Sequence, residues 1–305
     1  MAPPPLPSHP PRKSAAIRGY VWTVGSSDHF FQTQDGLRLY ARDYAGPDDA
    51  PVVLCLHGLT RNSRDFQELA PALSDHFRVL VPEQRGRGRS DYDDDVSRYA
   101  LLQYVEDMRG LLSDLGIEHV AIVGTSMGGL MTFALNALHP GLVTRAVIND
   151  IGPEIAEVGL NRIKSYVGAV GPFADWNEAM AYLKSASVDI FPDWRDPQWA
   201  AFARQCYIEH DGQVIIDYDP RIAEPLTAES NDTESETLWS LFAAMAAVPS
   251  LLVRGELTDL LTESCVAKMR EVHPDMAVLP VPRVGHAPML NESGVTEAIH
   301  GFLTA

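Results

Sequence analysis

The sequence predicts an α/β domain built on a mostly parallel sheet, and three observations carry that expectation. Short continuous apolar runs recur along the chain, helix-period segments separate them, and one alternating pair of runs precedes them all. The runs are PVVLCLH (51–57), FRVLVP (77–82), HVAIVG (119–124), TRAVIND (144–150), SLLVRGE (250–256) and MAVLPVP (276–282). Unbroken apolar character over so few residues is how strands buried on both faces read.

The elements follow in order. HFFQTQDGLRLYARDYA (29–45) holds Asp35-Gly36 between two alternating runs, the pattern of an antiparallel hairpin at a sheet edge. DFQELAPALSD, YALLQYVEDMRGLLSDLG, MGGLMTFALNALH, TESCVAKMREVH and GVTEAIHGFL carry apolar residues at helical spacing. Asp114 and Gly116 close the second of these, and His139-Pro140 closes the third. Strand and helix in alternation imply a parallel sheet of eight strands, counting the hairpin, with helices on both faces. The alternation fails between about 152 and 248, a stretch rich in Trp, Asp and helix formers with breaks at Gly171-Pro172 and Pro192. It reads as a helical cap inserted after the sixth strand, over the carboxyl ends where sites of open α/β sheets lie. The expected organisation is a flexible arm over 1–27, a core over 28–151 and 249–305, and a cap over 152–248.

Composition narrows the partners. Of 305 residues 46% are hydrophobic and 21% charged, a globular balance, and 24 Lys and Arg against 41 Asp and Glu leave a net charge of −17. That field repels nucleic acid and anionic lipid surfaces, and no apolar run reaches the roughly 20 residues of a membrane-spanning helix. The first eleven residues, MAPPPLPSHPP, hold six prolines and no apolar stretch, so they do not read as a secretory signal. Cys55, Cys206 and Cys265 sit far apart with no metal or redox spacing, which fits a reducing compartment. The expectation is a soluble cytoplasmic protein acting on a small molecule.

Gly124-Thr125-Ser126-Met127-Gly128 is a G-x-S-x-G pentapeptide. Alone it would arise by chance in roughly one chain of this length in ten; here a strand ends at Gly124 and a helix begins just past Ser126. So abrupt a turn strains its central residue, lifts the serine oxygen clear and needs small neighbours. Serine then requires a base and an orienting acid. Of the ten histidines, His286 in PVPRVGHAPML is the downstream one on a loop at the strands' carboxyl end, whereas His139, His273 and His300 lie in or at the ends of helices. Three carboxylates contend for the acid: Asp259 in the loop ELTDLLT, Asp150 at the end of TRAVIND, and Glu256. Asp259 is preferred; Glu256 is too close to its strand to reach a histidine on the neighbouring loop, and Asp150 stands as the competitor. Two amides should receive the oxyanion, Met127 N–H at the helix start and Leu59 N–H in the loop His57-Gly58-Leu59-Thr60, with His57 supporting that loop.

Taken together, HG at 57–58, EQRGRGRSD at 83–91, GTSMGG at 124–129, RGELTDLL at 254–261 and GHAPML at 285–290 resemble, in order, the landmarks of the α/β-hydrolase superfamily. The resemblance runs from about residue 28 to the C-terminus, and within the superfamily the chain resembles bacterial serine carboxylesterases with a helical cap. It implies the α/β-hydrolase fold, with Ser126 as nucleophile, Asp259 as acid, His286 as base, and Leu59 and Met127 as the oxyanion hole. It calls for no metal and no cofactor. Glu83 departs from the Asp of many relatives. Carbon–carbon hydrolases of ring-cleavage diketones usually carry Asn and Trp where this chain has Thr125 and Ala287, while enol-lactonases share the SMGG run; both stand as alternatives to the esterase. For the substrate pocket the expectation is Trp176 and Trp194 of the cap together with Met289.

Overall fold

The computed structural model describes residues 25–227 and 232–305; most of the proline-rich arm expected over 1–27 lies outside them. The chain runs β1 (Ser26–Gln32), β2 (Arg38–Tyr44), β3 (Val52–Leu56), α1 (Leu69–Leu73), β4 (Arg78–Glu83), α2 (Leu101–Asp114), β5 (Val120–Thr125), α3 (Met127–Leu138) and β6 (Val143–Asn149). An insertion follows, with α4 (Glu157–Tyr166), α5 (Trp176–Ser187), α6 (Asp196–Cys206), β7 (Tyr207–His210), β8 (Gln213–Ile216) and α7 (Asp232–Ala243). The core resumes with β9 (Ser250–Gly255), α8 (Glu263–Val272), β10 (Ala277–Val281) and α9 (Val295–Thr304).

The main sheet has eight strands in the order β1-β2-β4-β3-β5-β6-β9-β10. β1 and β2 form the expected antiparallel hairpin, β2 joins β4 antiparallel, and all other pairs are parallel. The reason the strands read as unbroken apolar runs is visible in their side chains. Val120 and Ile122 of β5 enter one apolar layer with α2, α3 and α8, while Ala121 and Val123 enter the other with α1 and α9. Leu54 and Leu56 of β3 alternate with Val53 and Cys55 in the same way.

Local stop signals act as their chemistry predicts. Beyond α2, Gly116 takes φ +67, Ile117 N–H bonds the Leu112 carbonyl and Gly116 N–H the Ser113 carbonyl, a left-handed cap that only glycine adopts cheaply. The insertion differs from its purely helical expectation by the hairpin β7–β8. Its turn is Asp211-Gly212 with φ of +49 and +77, so the Asp-Gly dipeptide between YIEH and QVII was the available signal. The last helix of the insertion belongs to the core layer, where Phe242 of α7 meets Phe133 of α3 edge to face at 5.2 Å.

β3 and β5 are neighbours, but the chain leaves β3 toward β4 on one side and β5 toward β6 on the other. Their carboxyl ends therefore border the crevice where an open α/β sheet reverses its winding. Gly58 and Ser126 stand just past those two ends.

Candidate active site

Ser126 sits at the turn from β5 to α3 with φ 52 and ψ −115, a positive-φ backbone that a serine holds only when its surroundings impose it. They do so through contact. A Cβ on Gly128 would come within 2.2 Å of the Leu56 carbonyl oxygen, and one on Gly124 within 2.4 Å of the Gly128 oxygen. Gly129 abuts Ile151 equally closely. The three glycines thus let α3 start directly against β3, β5 and the end of β6. Ser126 N–H donates to the Asn149 carbonyl, tying the turn to β6.

The loop from β10 to α9 brings His286 to the serine. Its Nε2 lies 3.0 Å from Ser126 Oγ and its Nδ1 lies 2.9 Å from Asp150 Oδ2. Asn149 Nδ2 donates to the Pro288 carbonyl and anchors the loop beyond the histidine. Asp150 is fully buried; its backbone takes φ +57, its N–H bonds the Val253 carbonyl, and its Oδ1 accepts Gly255 N–H. One carboxylate oxygen is thus committed to β9 and the other to the imidazole.

Asp259, the acid expected from the sequence, is not bonded to His286. Both of its oxygens are taken by Arg162 of α4, at 2.6 Å to Nε and 2.8 Å to Nη2. Burial alone would raise its carboxyl, but the bonded guanidinium outweighs that and holds it below the ordinary carboxylate range. The correction has a plain physical cause: Arg162 comes from the insertion, about a hundred residues before Asp259 in sequence, and no spacing rule announces their meeting. Glu256 is turned elsewhere too, accepting Arg283 N–H.

The loop after β3 is held from both sides. Gln84 N–H donates to His57 Nε2, so the proton of this imidazole is on Nδ1, which donates to the Gly58 carbonyl at 2.7 Å. Arg61 N–H bonds the same carbonyl. In a planar trans peptide a C=O fixed in this way directs the following N–H, that of Leu59, to the opposite side. The Leu59 carbonyl is held in turn by Arg87 Nε at 2.9 Å. Burial pushes the His57 imidazole down to about 3, keeping it a neutral strut. Glu83 is the second brace: its carboxylate accepts Ser63 N–H and Oγ–H on one side and Arg89 N–H on the other. A Cβ on Gly88 would collide with it. Across the crevice Met127 begins α3, where first-turn N–H groups have no partner inside the helix.

Gly58, Leu59, Ser126, Met127 and His286 line one cavity of about 630 Å³, the size of a small-molecule site. Its far wall comes from the insertion through Leu160, Arg162, Tyr166, Leu183, Phe191 and Phe202, and Met289 of the histidine loop lines it too. Trp176 and Trp194 do not. Trp176 is covered by the Arg204 guanidinium 3.5 Å from its ring centre and bonds Glu209 through Nε1. Trp194 stacks on Phe191 at 3.8 Å and meets Trp199 and Phe202 edge to face, so it backs the wall that Phe191 and Phe202 present. Aromatic content located the cluster, but which ring faces the cavity depends on how α5 and α6 pack. Arg61, which sequence reasoning passed over, is also at the cavity; it is paired with Asp65 through Nε and bonded to Cys206 Sγ.

Known proteins share this architecture. The family of the alpha/beta hydrolase fold matches residues 51–204. A 3-hydroxybutyrate-oligomer hydrolase from Cupriavidus necator is 36% identical over 82% of this chain and 87% of its own. A 2-(acetamidomethylene)succinate hydrolase from Mesorhizobium japonicum is 28% identical over 86% of this chain and 90% of its own. Among solved structures, an alpha/beta hydrolase from Novosphingobium aromaticivorans superposes with a TM-score of 0.87 at 41% identity, covering 93% of this chain and 99% of that one. The strand order, the glycine-flanked serine turn and these likenesses agree, and the chain belongs to the α/β-hydrolase family.

Proposed function

We propose that the protein is a carboxylic-ester hydrolase that works through an acyl-enzyme on Ser126, with His286 as base and Asp150, rather than Asp259, as the acid that orients it. The observation that carries this reading is the unbroken line from Ser126 Oγ through His286 to Asp150, at 3.0 and 2.9 Å, opening on a cavity. Asp150 accepts a hydrogen bond from Nδ1–H, which keeps that proton on the ring and leaves Nε2 as the basic nitrogen toward the serine.

His286 Nε2 takes the hydroxyl proton as Ser126 Oγ attacks the ester carbonyl. The negative charge that develops on the carbonyl oxygen is received by the Leu59 and Met127 amides, each worth roughly 3–4 kcal/mol in the transition state. Collapse breaks the acyl–oxygen bond, and the departing alkoxide takes the proton from His286. Water then loses a proton to His286 while adding to the acyl carbon, and Ser126 recovers its hydroxyl as the acid leaves. The insertion walls the site and restricts water.

The likeness to a 3-hydroxybutyrate-oligomer hydrolase directs the choice of substrate toward esters of hydroxy acids. Three free, buried cysteines fit a reducing compartment and support a cytoplasmic location, and among the described residues no helix is long and apolar enough to cross a membrane. The test is an ester panel graded in acyl and alcohol size, with hydroxybutyrate dimers and trimers included, run on the wild type and on Ser126→Ala. The variant should lose roughly four to six orders of magnitude in kcat. Wild-type rates in it, or far faster cleavage of a ring-cleavage diketone than of any ester, would overturn the reading.

A further inference from the structure

Among the described residues one carboxylate, that of Asp150, is bonded to His286, and a second, that of Asp259, lies within Coulombic reach of it. Asp259 follows β9 and is bound through both oxygens by Arg162. The loop that carries Asp259 is tied to the histidine loop, Leu257 N–H donating to the Val284 carbonyl at 2.9 Å, so the Arg162–Asp259 pair lies within Coulombic reach of the His286–Asp150 pair. Arg162 also lines the cavity that holds Ser126 and His286.

The helix that carries Arg162 is seated on the Asp259 loop along one face. Ala156 N–H donates to the Leu260 carbonyl at 3.0 Å. Three residues on, a Cβ at Gly159 would come within 2.7 Å of Leu260 Cδ1 and 2.8 Å of the Asp259 carbonyl oxygen, so the bare helix backbone lies directly on the loop. Another three residues on, Arg162 reaches the Asp259 carboxylate. Positions 156, 159 and 162 share a side of a helix, and the three contacts make a single clamp between insertion and core.

We propose that Arg162 is a positioning residue that captures Asp259 and so leaves Asp150 the sole carboxylate acting on the His286 imidazole. This rests on the triad proposed above. Without capture, a second uncompensated negative charge near the ring would stabilise the imidazolium and make His286 harder to deprotonate. With it, Arg162 and Asp259 are neutral as a pair, and the ring answers to Asp150. Most other charged groups around the histidine loop and the cavity have partners of their own. Arg283 pairs with Asp193 and gives its N–H to Glu256, Glu292 accepts Met289 N–H, Glu154 pairs with Lys268 and Arg61 with Asp65, while Glu157, at the first turn of α4, lines the cavity. Because Arg162 is on the insertion and Asp259 on the core, the capture holds only while α4 is seated.

The test is the pH dependence of kcat/KM for p-nitrophenyl butyrate, whose acid limb reports the histidine that must be deprotonated. In Arg162→Met the limb should move up by about half to one pH unit, because an uncompensated carboxylate favours the charged ring. In Asp259→Asn the stranded guanidinium should move it down by a similar amount. Arg162→Met/Asp259→Asn should bring it back near the wild-type position, and Arg162→Lys should leave it there. A limb that stays in place in Asp259→Asn overturns the proposal even if Arg162→Met fails to fold, as does a double variant that does not return. Ser126→Ala and Asp150→Asn, assayed alongside, test the triad separately: full activity in either defeats that reading, whatever the limb does.

Discussion

His286 Nδ1 lies 2.9 Å from Asp150, a carboxylate carried by the end of β6 and not by the loop after β9. The imidazole is therefore oriented by a residue only 24 positions beyond the serine. Gly255 N–H and the Val253 carbonyl hold that residue to the neighbouring strand. A carboxylate tied to β9 through both its backbone and its side chain has little freedom to follow movements of the insertion.

Replacing that carboxylate by an amide keeps its shape and removes the charge that stabilises the imidazolium. Asp150→Asn should lower kcat by about three to four orders of magnitude. Asp259→Asn should cost far less in rate at the pH optimum. Steady-state kinetics on one ester with both variants decides between the two positions, and the reverse ranking would reinstate Asp259 as the acid.

His57 gives a prediction in stability rather than in rate. Its imidazole titrates near 3 when folded against an ordinary 6.5, so the unfolded chain takes up a proton that the folded one refuses. Its contribution is complete above pH 6.5 and is lost as the pH falls toward 3, at up to about 1.4 kcal/mol per pH unit. Urea unfolding between pH 7 and 4 should show a shallower decline in His57→Gln than in the wild type. An equal slope would mean that the ring is not held neutral.

The serine turn tolerates no side chain at 128. Gly128→Ala sets a methyl group 2.2 Å from the Leu56 carbonyl oxygen, and backbone is slow to yield. A destabilisation of about 1–3 kcal/mol is expected, together with loss of covalent labelling by a fluorophosphonate as Ser126 shifts. Normal labelling at an unchanged urea midpoint would show that α3 can move away from β3.

The cavity and the cluster behind it should separate in mutagenesis. Met289→Ala enlarges the cavity and should favour longer acyl chains over short ones by about tenfold in kcat/KM, with the melting temperature little affected. Trp194→Ala removes the ring stacked on Phe191, so its main effect should be on thermal stability of the insertion. A strong change in chain-length preference from Trp194→Ala alone would place that ring at the substrate.

Much of this protein was decided by interactions short enough to read along the chain. Apolar runs define the strands because the sheet is covered on both faces, Gly116 stops α2 because the cap needs a positive φ, and Gly124, Ser126 and Gly128 mark a turn that only small residues permit. His286 was legible because a loop histidine past the last strand comes to the same edge as the serine. The short hairpin β7–β8 is faint in the sequence because four-residue strands give a weak period, although Asp211-Gly212 announces the turn.

What the tertiary structure alone decided is which of several suitable side chains reach the site. Asp150 and Asp259 both follow strands that point at the crevice, and local pattern treats them alike. The difference lies in Arg162, brought from the insertion to Asp259 by the seating of α4 on a loop 97 residues further along. Trp176 and Trp194 lost their expected places for the same reason, turned by Arg204 and Phe191 toward packing and away from the cavity. Such outcomes depend on the three-dimensional meeting of distant segments, and the energy that settles them is absent from any short stretch of the chain.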